Sequence, residues 1–172
     1  NREIPAFGKP GYKRIQQSTV GIVGLSGTGS HVFQQLVHLK VRKFVIIDKE
    51  RIEKPNLSRM VGAIKDDVTK RSYKTEIMKS LAAKINPDVE IESISDSVEK
   101  REVVLALRDV DVIFCCTDNL SSRFMLNRFA FQYLIPLIDM GNEIQLKEEG
   151  KIRTAGGGVR VLTLDGPCLE SM

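Results

Sequence analysis

The sequence is poor in the residues and runs that mark secreted and membrane-embedded proteins. It has three cysteines, two of them adjacent at Cys115 and Cys116, and this odd number forms no even-numbered disulfide framework. No apolar stretch approaches the roughly 18 residues that a membrane-spanning helix needs, and the N-terminal residues lack the apolar core of a signal peptide. These absences predict a chain with no membrane partner in a reducing compartment, and we expect a cytoplasmic location.

Histidine is scarce as well, and neither sign of charge dominates. The chain has two histidines, and its 26 Lys and Arg residues against 22 Asp and Glu residues give a formal net charge of +4. The basic residues are scattered rather than gathered into one run, so the charge predicts no nucleic-acid partner. A tRNA-linked substrate stays open.

The length and the composition predict a single folded domain. At roughly 100–200 residues per domain, the 172 residues correspond to one domain over 1–172. Hydrophobic residues make up 42% of the chain and charged residues 28%, which excludes the collagen-like and wholly disordered classes. The first residue is Asn rather than Met, so the domain is expected to be a piece of a longer chain.

Strand-like and helix-like patterns alternate along most of the chain. Apolar runs typical of buried parallel strands occupy 19–23, 44–48, 89–93, 110–116 and 135–139. Helical spacing of apolar residues lies between them, at 30–39, 74–85, 99–107 and 121–133. This order predicts an α/β, Rossmann-like, mostly parallel sheet with helices on both faces. From Glu143 the pattern changes, and an antiparallel extension is expected over 143–172, with a turn at glycines 156–158.

A glycine-rich turn joins the first predicted strand to the first predicted helix. Glycine permits a tight turn and lets backbone amides approach phosphate groups at the N-terminus of a helix. An acid ends the next strand, where a carboxylate can accept hydrogen bonds from ribose hydroxyls. Together these features predict a nucleotide site, without distinguishing NAD from ATP, at Gly24, Ser26, Gly27, Gly29 and Asp48.

Two further motifs limit the reactions that a protein with this nucleotide site would catalyse. Asn56-Leu57-Ser58-Arg59 follows the second predicted strand, and Cys116-Thr117-Asp118-Asn119 follows the fourth. With the glycine-rich turn, the acid-x-acid pair Asp48 and Glu50, and Lys74 at a helix start, this order resembles the ThiF/MoeB/HesA family over nearly the whole chain. These are ubiquitin-activating-enzyme-like adenylyltransferases. The resemblance implies an enzyme that uses ATP and Mg²⁺ to activate a carboxylate as an acyl-adenylate and releases pyrophosphate.

The resemblance also implies a role for each matching residue. Adenylylation needs cations on the triphosphate and a metal ligand, but no strong base, because a carboxylate is already ionised at pH 7. The matching cations are Arg59 and Lys74. Lys70 competes for the second role, but the spacing to Asn86 favours Lys74. Asp118 would bind Mg²⁺, although it would also suit the cap of the following helix. Further nucleotide contacts are expected from Asp48, Glu50 and Asn56.

Both ends of the chain carry expectations drawn from the same family. Arg2 resembles an N-terminal arginine that reaches the phosphates of a neighbouring subunit, which implies a catalytic role in a homodimer; a disordered terminus is the alternative. Cys168 matches half of a zinc-binding Pro-Cys-x-x-Cys motif, but Ser171 replaces the second cysteine, so we expect no zinc in this chain. The activated partner would be a small ubiquitin-like or sulfur-carrier protein with a C-terminal glycine. Thioester-forming cysteines of relatives lie downstream, which suggests an adenylation core.

Some residues are expected to act structurally. Cys115 and Cys116 occupy strand positions and are read as small buried hydrophobes rather than as catalytic groups. Asn119 and Arg123 are expected to shape their loop and helix rather than to touch the nucleotide. Ser26 stands where the family commonly has glycine, and two effects stay open: its hydroxyl would add a phosphate contact, or it would crowd the phosphate and restrict positive φ angles, which would lower the nucleotide affinity.

Two other functions compete with adenylylation. A non-catalytic nucleotide-binding or dimerisation module is compatible with the change at Ser26 and with the incomplete cysteine motif. An NAD(P)-dependent oxidoreductase is favoured by the glycine-rich turn and Asp48, but has no evident use for Arg59, Lys74 and Asp118 together. Titration with ATP and with NAD would separate these functions.

Overall fold

Six strands and six α-helices make up the part of the chain that the structure, a computed structural model, describes: residues 3–146 and 151–163. The strands are β1 (Thr19–Val23), β2 (Lys43–Ile47), β3 (Glu90–Ile94), β4 (Val112–Cys115), β5 (Leu137–Leu146) and β6 (Ile152–Leu162). The helices are α1 (Glu3–Gln17), α2 (Gly27–His38), α3 (Lys65–Lys70), α4 (Lys74–Ile85), α5 (Arg101–Val104) and α6 (Leu120–Tyr133). None of these helices has both the length and the apolar character that crossing a membrane requires. Short 3₁₀ turns occupy Lys54–Ser58 and Leu105–Leu107.

All six strands belong to one sheet in the order β3-β2-β1-β4-β5-β6. Neighbouring strands are parallel from β3 to β5 in this order, and β6 is antiparallel to β5. The chain builds outward from β1 to β3 and then returns to the other side of β1 with β4. In open parallel sheets such a reversal leaves a crevice at the carboxyl ends of the strands, where ligands bind. The predicted fold class is confirmed.

Two apolar cores, one on each face of the sheet, hold the helices in place. Alternate residues of β1 and β2 face different cores, so both strands are buried on both faces and read as continuous apolar runs. One core joins the sheet to α2 and α4 and includes Val20, Ile22, Phe44, Ile46, Phe33 and Met78. The other joins it to α5 and α6 and includes Val23, Val45, Ile47, Val103, Leu107 and Leu126.

The N-terminal helix α1 has no counterpart among the predicted elements. It contains Pro10 and is broken at Gly8, whose φ of 69° is outside the helical range. Proline and glycine usually interrupt helices, and they hid the pattern in this segment. Tyr12 is nevertheless buried, and Ile15 packs against the core on the α2 side. The helix therefore joins the domain through apolar contacts that only the folded chain brings together.

The last two strands differ from the prediction in one respect. The turn expected at glycines 156–158 is wrong, because β6 runs through all three glycines. They pair with β5 in a continuous antiparallel register, with Gly158 opposite Gly141 and Gly157 opposite Asn142. β5 also begins its antiparallel pairing at Leu137, opposite Leu162, while its other edge pairs with β4. The glycines thus form a stretch of sheet with no side chains.

Candidate nucleotide site

A cleft of about 400 Å³ lies at the carboxyl ends of β1, β2 and β4, where the strand order reverses. Predicted site residues from well-separated segments line it together: Gly24, Ser26, Gly27, Asp48, Glu50, Arg59, Lys74 and Asp118. Gly29 and Asn56 are not part of the lining. Arg2 and Cys168 lie outside the described residues, so the expectations for them stay predictions.

The loop between β1 and α2 depends on two glycines that allow close backbone packing. Gly24 has a φ of +86°, and a Cβ there would lie 2.8 Å from the carbonyl oxygen of Cys116. A Cβ on Gly29 would lie 1.8 Å from the carbonyl oxygen of Gly24. The two glycines therefore allow helix α2 to begin close against the end of β1. The first backbone amides of a helix have no intrahelical acceptor, and here they lie at the cleft.

Ser26 has a φ of −80°, so a restriction of positive φ angles does not apply at this position. The effect of Ser26 on the nucleotide affinity stays a prediction. The hydroxyl oxygen of Ser26 accepts a hydrogen bond from Nε of Arg59 at 3.4 Å. Arg59 also approaches the position of a Cβ on Gly27 within 3.7 Å. The serine thus helps to keep the guanidinium over the loop.

Asp48 is fixed by the backbone of the loops on either side of it. Its Oδ2 accepts a hydrogen bond from the amide of Leu25 at 2.7 Å, and its Oδ1 accepts one from the amide of Glu50 at 2.8 Å. Burial raises the pKa of the Asp48 carboxyl, while the Leu25 amide, the charge of Lys74 and the Glu50 amide oppose that shift. An ionised carboxylate has about four acceptor positions, so two remain for hydroxyl groups in the cleft.

Lys74 is the buried cation of the cleft. It opens α4, only 1% of its surface is exposed, and its ammonium donates a hydrogen bond to Oε2 of Glu50. The backbone amide of Lys74 also donates to the carbonyl of Glu50 at 3.1 Å, which ties the start of α4 to the segment after β2. Lys70 is exposed, pairs with Asp66 at 2.7 Å and does not line the cleft. The geometry therefore favours Lys74 over Lys70.

Asn56 forms the turn that brings Arg59 to the cleft. It is buried, and its Oδ1 accepts a hydrogen bond from the amide of Glu53 at 2.9 Å. Its carbonyl accepts hydrogen bonds from the amides of Arg59 at 3.0 Å and Met60 at 2.9 Å. These contacts close the 3₁₀ turn at Lys54–Ser58. The Asn-Leu-x-Arg motif thus combines a turn-forming Asn with an Arg that lines the cleft.

In the segment after β4, one residue caps helix α6 and the residue before it is an exposed acid. Asn119 caps α6, because its Oδ1 accepts hydrogen bonds from the amides of Ser121 at 2.8 Å and Ser122 at 3.4 Å. Asp118 is therefore not the cap. It is exposed, lines the cleft, and has no ion pair or side-chain hydrogen bond within residues 3–146 and 151–163. Arg123 binds Asp139 at 2.9 Å and 2.5 Å. Asn119 and Arg123 also line the cleft, so the expectation that they do not touch the nucleotide stays a prediction.

Several lining residues escaped the sequence analysis. Asp96 and Ser97 follow β3, and Asn142 on β5 donates a hydrogen bond to Oγ1 of Thr28 at 3.1 Å. Residues at the carboxyl ends of parallel strands are candidates by position alone, but no motif marks these. In the described part of the chain, no three His, Cys, Asp or Glu side chains form a group that could hold a metal ion.

The two adjacent cysteines are expected to resist alkylation in the folded protein. Burial, reinforced by the charge of Asp139, raises the pKa of both Cys115 and Cys116 to about 12. At pH 8 only roughly one thiol in ten thousand would then be a thiolate, which is the nucleophilic form. Iodoacetamide at pH 8 followed by peptide mass spectrometry should leave this peptide unmodified until urea is added. Rapid labelling of the folded chain would contradict the assignment.

The strand order, the glycine-rich loop and the cleft define a Rossmann-like α/β protein with a ligand site at its switch point. The chain belongs to the ThiF family, and the match to that family covers residues 1–171. It is 31% identical to the SAMP-activating enzyme E1 of Haloferax volcanii over 165 residues, 96% of this chain and 57% of that protein. It is 29% identical to the molybdopterin-synthase adenylyltransferase of Escherichia coli, over 88% of this chain and 60% of that protein.

A solved structure shares the fold at lower sequence identity. The structure of E. coli MccB with ATP superposes with a TM-score of 0.78 at 23% identity, covering 98% of this chain and 50% of that one. At this identity the likeness concerns the fold. The chain thus spans between half and two thirds of the length of these three proteins.

Proposed function

We propose that the protein is an ATP-dependent adenylyltransferase of the type that activates ubiquitin-like modifiers. Its substrate would be the C-terminal glycine carboxylate of a small ubiquitin-like or sulfur-carrier protein, which becomes an acyl-adenylate. The observation that carries the proposal is that Arg59, Lys74 and Asp118 line one cleft together with the glycine-rich loop. Family membership and the names of two relatives, a SAMP-activating enzyme and a molybdopterin-synthase adenylyltransferase, support the same activity.

The charge distribution of the cleft suits ATP. The loop at 24–27 and the first turn of α2 offer backbone amides to a chain of phosphates, and Arg59 and Lys74 add two positive charges. Asp48 retains acceptor positions for ribose hydroxyls after accepting its two amides. The solved structure of E. coli MccB with ATP supports ATP as the nucleotide for this fold.

Asp118 would hold Mg²⁺ beside the triphosphate. Magnesium is usually bound by one or two carboxylates, phosphate oxygens and water rather than by a cage of protein ligands. An exposed carboxylate without an ion pair among the described residues fits that requirement. The ion supplies positive charge to the phosphates when bound.

The reaction needs positioning more than proton transfer. A carboxylate oxygen attacks the α-phosphorus, the bond from that phosphorus to the bridging oxygen of the β-phosphate breaks, and pyrophosphate leaves with the bonding electrons. The carboxylate is ionised at neutral pH, so no side chain has to remove a proton from it. Arg59 and Lys74 would stabilise the charge that develops on the leaving phosphates. The two histidines and the thiols of Cys115 and Cys116 have no required role in this step.

A groove beside the cleft offers a path for the carrier. This cavity of about 430 Å³ follows β5 and β6 and adjoins the cleft, since Arg123, Gly141 and Asn142 line both. Glycines 156–158 form part of its lining and have no side chains to narrow it. An extended C-terminal segment ending in glycine would lie here with its carboxylate towards the α-phosphate.

The remaining expectations belong to the same proposal. We propose a homodimer in which Arg2 of one subunit reaches the phosphates in the other, and a cytoplasmic location. Residues 1–172 would form a single adenylation domain, with 143–172 as its antiparallel extension. Zinc is not expected in this chain, because Ser171 replaces a cysteine beside Cys168.

Calorimetric titration of the purified chain tests the nucleotide half of this proposal. We expect Mg-ATP to bind and NAD not to bind, because the cleft has two cations for a triphosphate. The Asp118→Asn variant should lose the dependence of ATP binding on Mg²⁺, since an amide cannot replace the charge of the carboxylate. Tight binding of NAD would instead favour an oxidoreductase, and ATP binding without adenylylation in the presence of the carrier would favour a non-catalytic module.

A further inference from the structure

The ion pair between Lys74 and Glu50 is unequal in its exposure to water. The side chain of Lys74 is 2% exposed, whereas that of Glu50 is 60% exposed. Lys74 is held by α4 and by the core around it, with Thr75 and Met78 of the same helix also buried. Glu50 lies in the exposed segment after β2 and lines the cleft. Of the two partners, only Glu50 can turn into water without opening the domain.

A buried ammonium needs an anionic or hydrogen-bonding partner, because the loss of hydration is otherwise uncompensated. Asp48 is near enough for its charge to interact with Lys74, but no hydrogen bond joins its carboxylate to the ammonium among the described residues. Within residues 3–146 and 151–163, the carboxylate of Glu50 is the group that receives the hydrogen bond of the Lys74 ammonium. The nucleotide-free protein therefore neutralises this cation with Glu50.

We propose that Glu50 occupies the place of a nucleotide phosphate on Lys74 and is displaced when ATP binds. This inference rests on the proposed function, and it assigns Glu50 a positioning role instead of the nucleotide contact that its motif suggests. A phosphate oxygen and the Glu50 carboxylate are both anions and compete for one ammonium. After displacement, Glu50 is solvated, and Lys74 changes its partner without leaving its buried position.

The two roles predict opposite effects of neutralising Glu50. If Glu50 competes with phosphate, Glu50→Gln removes the competitor and also a negative charge near the polyphosphate, so Mg-ATP binds more tightly. If Glu50 contacts the ribose or the metal ion, the same change weakens binding. We expect the Kd of Mg-ATP to fall by about two- to fivefold, a modest effect because Glu50 is exposed and screened by water.

The experiment is calorimetric titration of wild type and Glu50→Gln with Mg-ATP. The matched control is Glu90→Gln, which removes the acid of another Lys-Glu pair, Lys43 to Glu90 at 3.3 Å. Both members of that pair are exposed and lie at the opposite end of the strands, so the Kd should not change. An equal or higher Kd in Glu50→Gln would overturn the proposal that phosphate displaces Glu50 from Lys74. A wild-type chain that does not bind Mg-ATP would overturn the proposed function, and with it the displacement of Glu50 by phosphate.

A double-mutant cycle on the nucleotide-free protein tests the same pair without any ligand. Glu50→Gln should lower the melting temperature, since Lys74 loses its anionic partner, and saturating Mg-ATP should raise it by more than in wild type. In a Lys74→Met background, Glu50→Gln should leave the melting temperature unchanged, because the buried charge is gone. Equal effects of Glu50→Gln in both backgrounds would show that Glu50 does not hold Lys74 and would overturn the proposal.

Discussion

Replacing Lys74 with Met is expected to weaken the binding of Mg-ATP by about thirtyfold or more. Lys74 is 1% exposed, so the attraction of its ammonium to a phosphate is little screened by water. Losing one member of a buried charge pair in a complex costs about 2–5 kcal/mol, and each 1.4 kcal/mol corresponds to tenfold in affinity. Calorimetric titration of the variant measures the change directly.

The fold should survive this substitution. Met has a similar length and is apolar, which suits a buried position, and the acid left behind on Glu50 is exposed to water. We therefore expect the free energy of unfolding to change by less than about 1 kcal/mol. Lys70→Met is the matched control, because Lys70 is exposed and does not line the cleft. Equal ATP affinity in Lys74→Met and Lys70→Met would contradict the assignment of Lys74.

Replacing Gly29 with Ala is expected to destabilise the domain by about 3 kcal/mol or more. The added Cβ would lie 1.8 Å from the carbonyl oxygen of Gly24 and 3.2 Å from the Cβ of Cys116. Alanine favours a helix over glycine by about 1 kcal/mol, but the clash with backbone atoms outweighs that preference. Helix α2 would have to move away from β1, which displaces the loop, so urea denaturation should show the loss of stability.

Gly27 provides the comparison on the same helix. A Cβ at Gly27 would meet Cδ of Arg59 at 3.7 Å, which is an ordinary van der Waals contact. Gly27→Ala should therefore keep the free energy of unfolding within about 1 kcal/mol of wild type. If Gly29→Ala were as stable as Gly27→Ala, the close packing of α2 on β1 would not be the reason for glycine at this position.

Much of the fold follows from local pattern. β1 (Thr19–Val23) and α4 (Lys74–Ile85) have the bounds that the sequence predicts, because a buried parallel strand and an amphipathic helix each have a clear period. The turn predicted at glycines 156–158 is wrong. Glycine often occurs in turns, but here the three glycines belong to β6 and line a groove that no side chains fill at these positions. Helix α1 was missed because its stability comes from packing against the α2 side of the sheet rather than from its own residues.

The candidate site was predictable where a motif carries the chemistry. Arg59, Lys74 and Asp118 all line the cleft. Asn56 instead closes a turn, and the Asn-Leu-x-Arg motif gives no reason to expect that role. The partner of Lys74 was not predictable, because both Asp48 and Glu50 follow β2. Only the folded chain shows that the Lys74 ammonium donates to Glu50, whereas Asp48 accepts the amides of Leu25 and Glu50.

The most direct test of the proposed activity is exchange of labelled pyrophosphate into ATP. The reaction would contain the chain, Mg-ATP, and a ubiquitin-fold carrier protein that ends in Gly-Gly. We predict exchange that requires the carrier's free C-terminal carboxylate and Mg²⁺, and that Asp118→Asn abolishes. Tight binding of Mg-ATP with no exchange in the presence of the carrier would contradict adenylylation and leave a nucleotide-binding module.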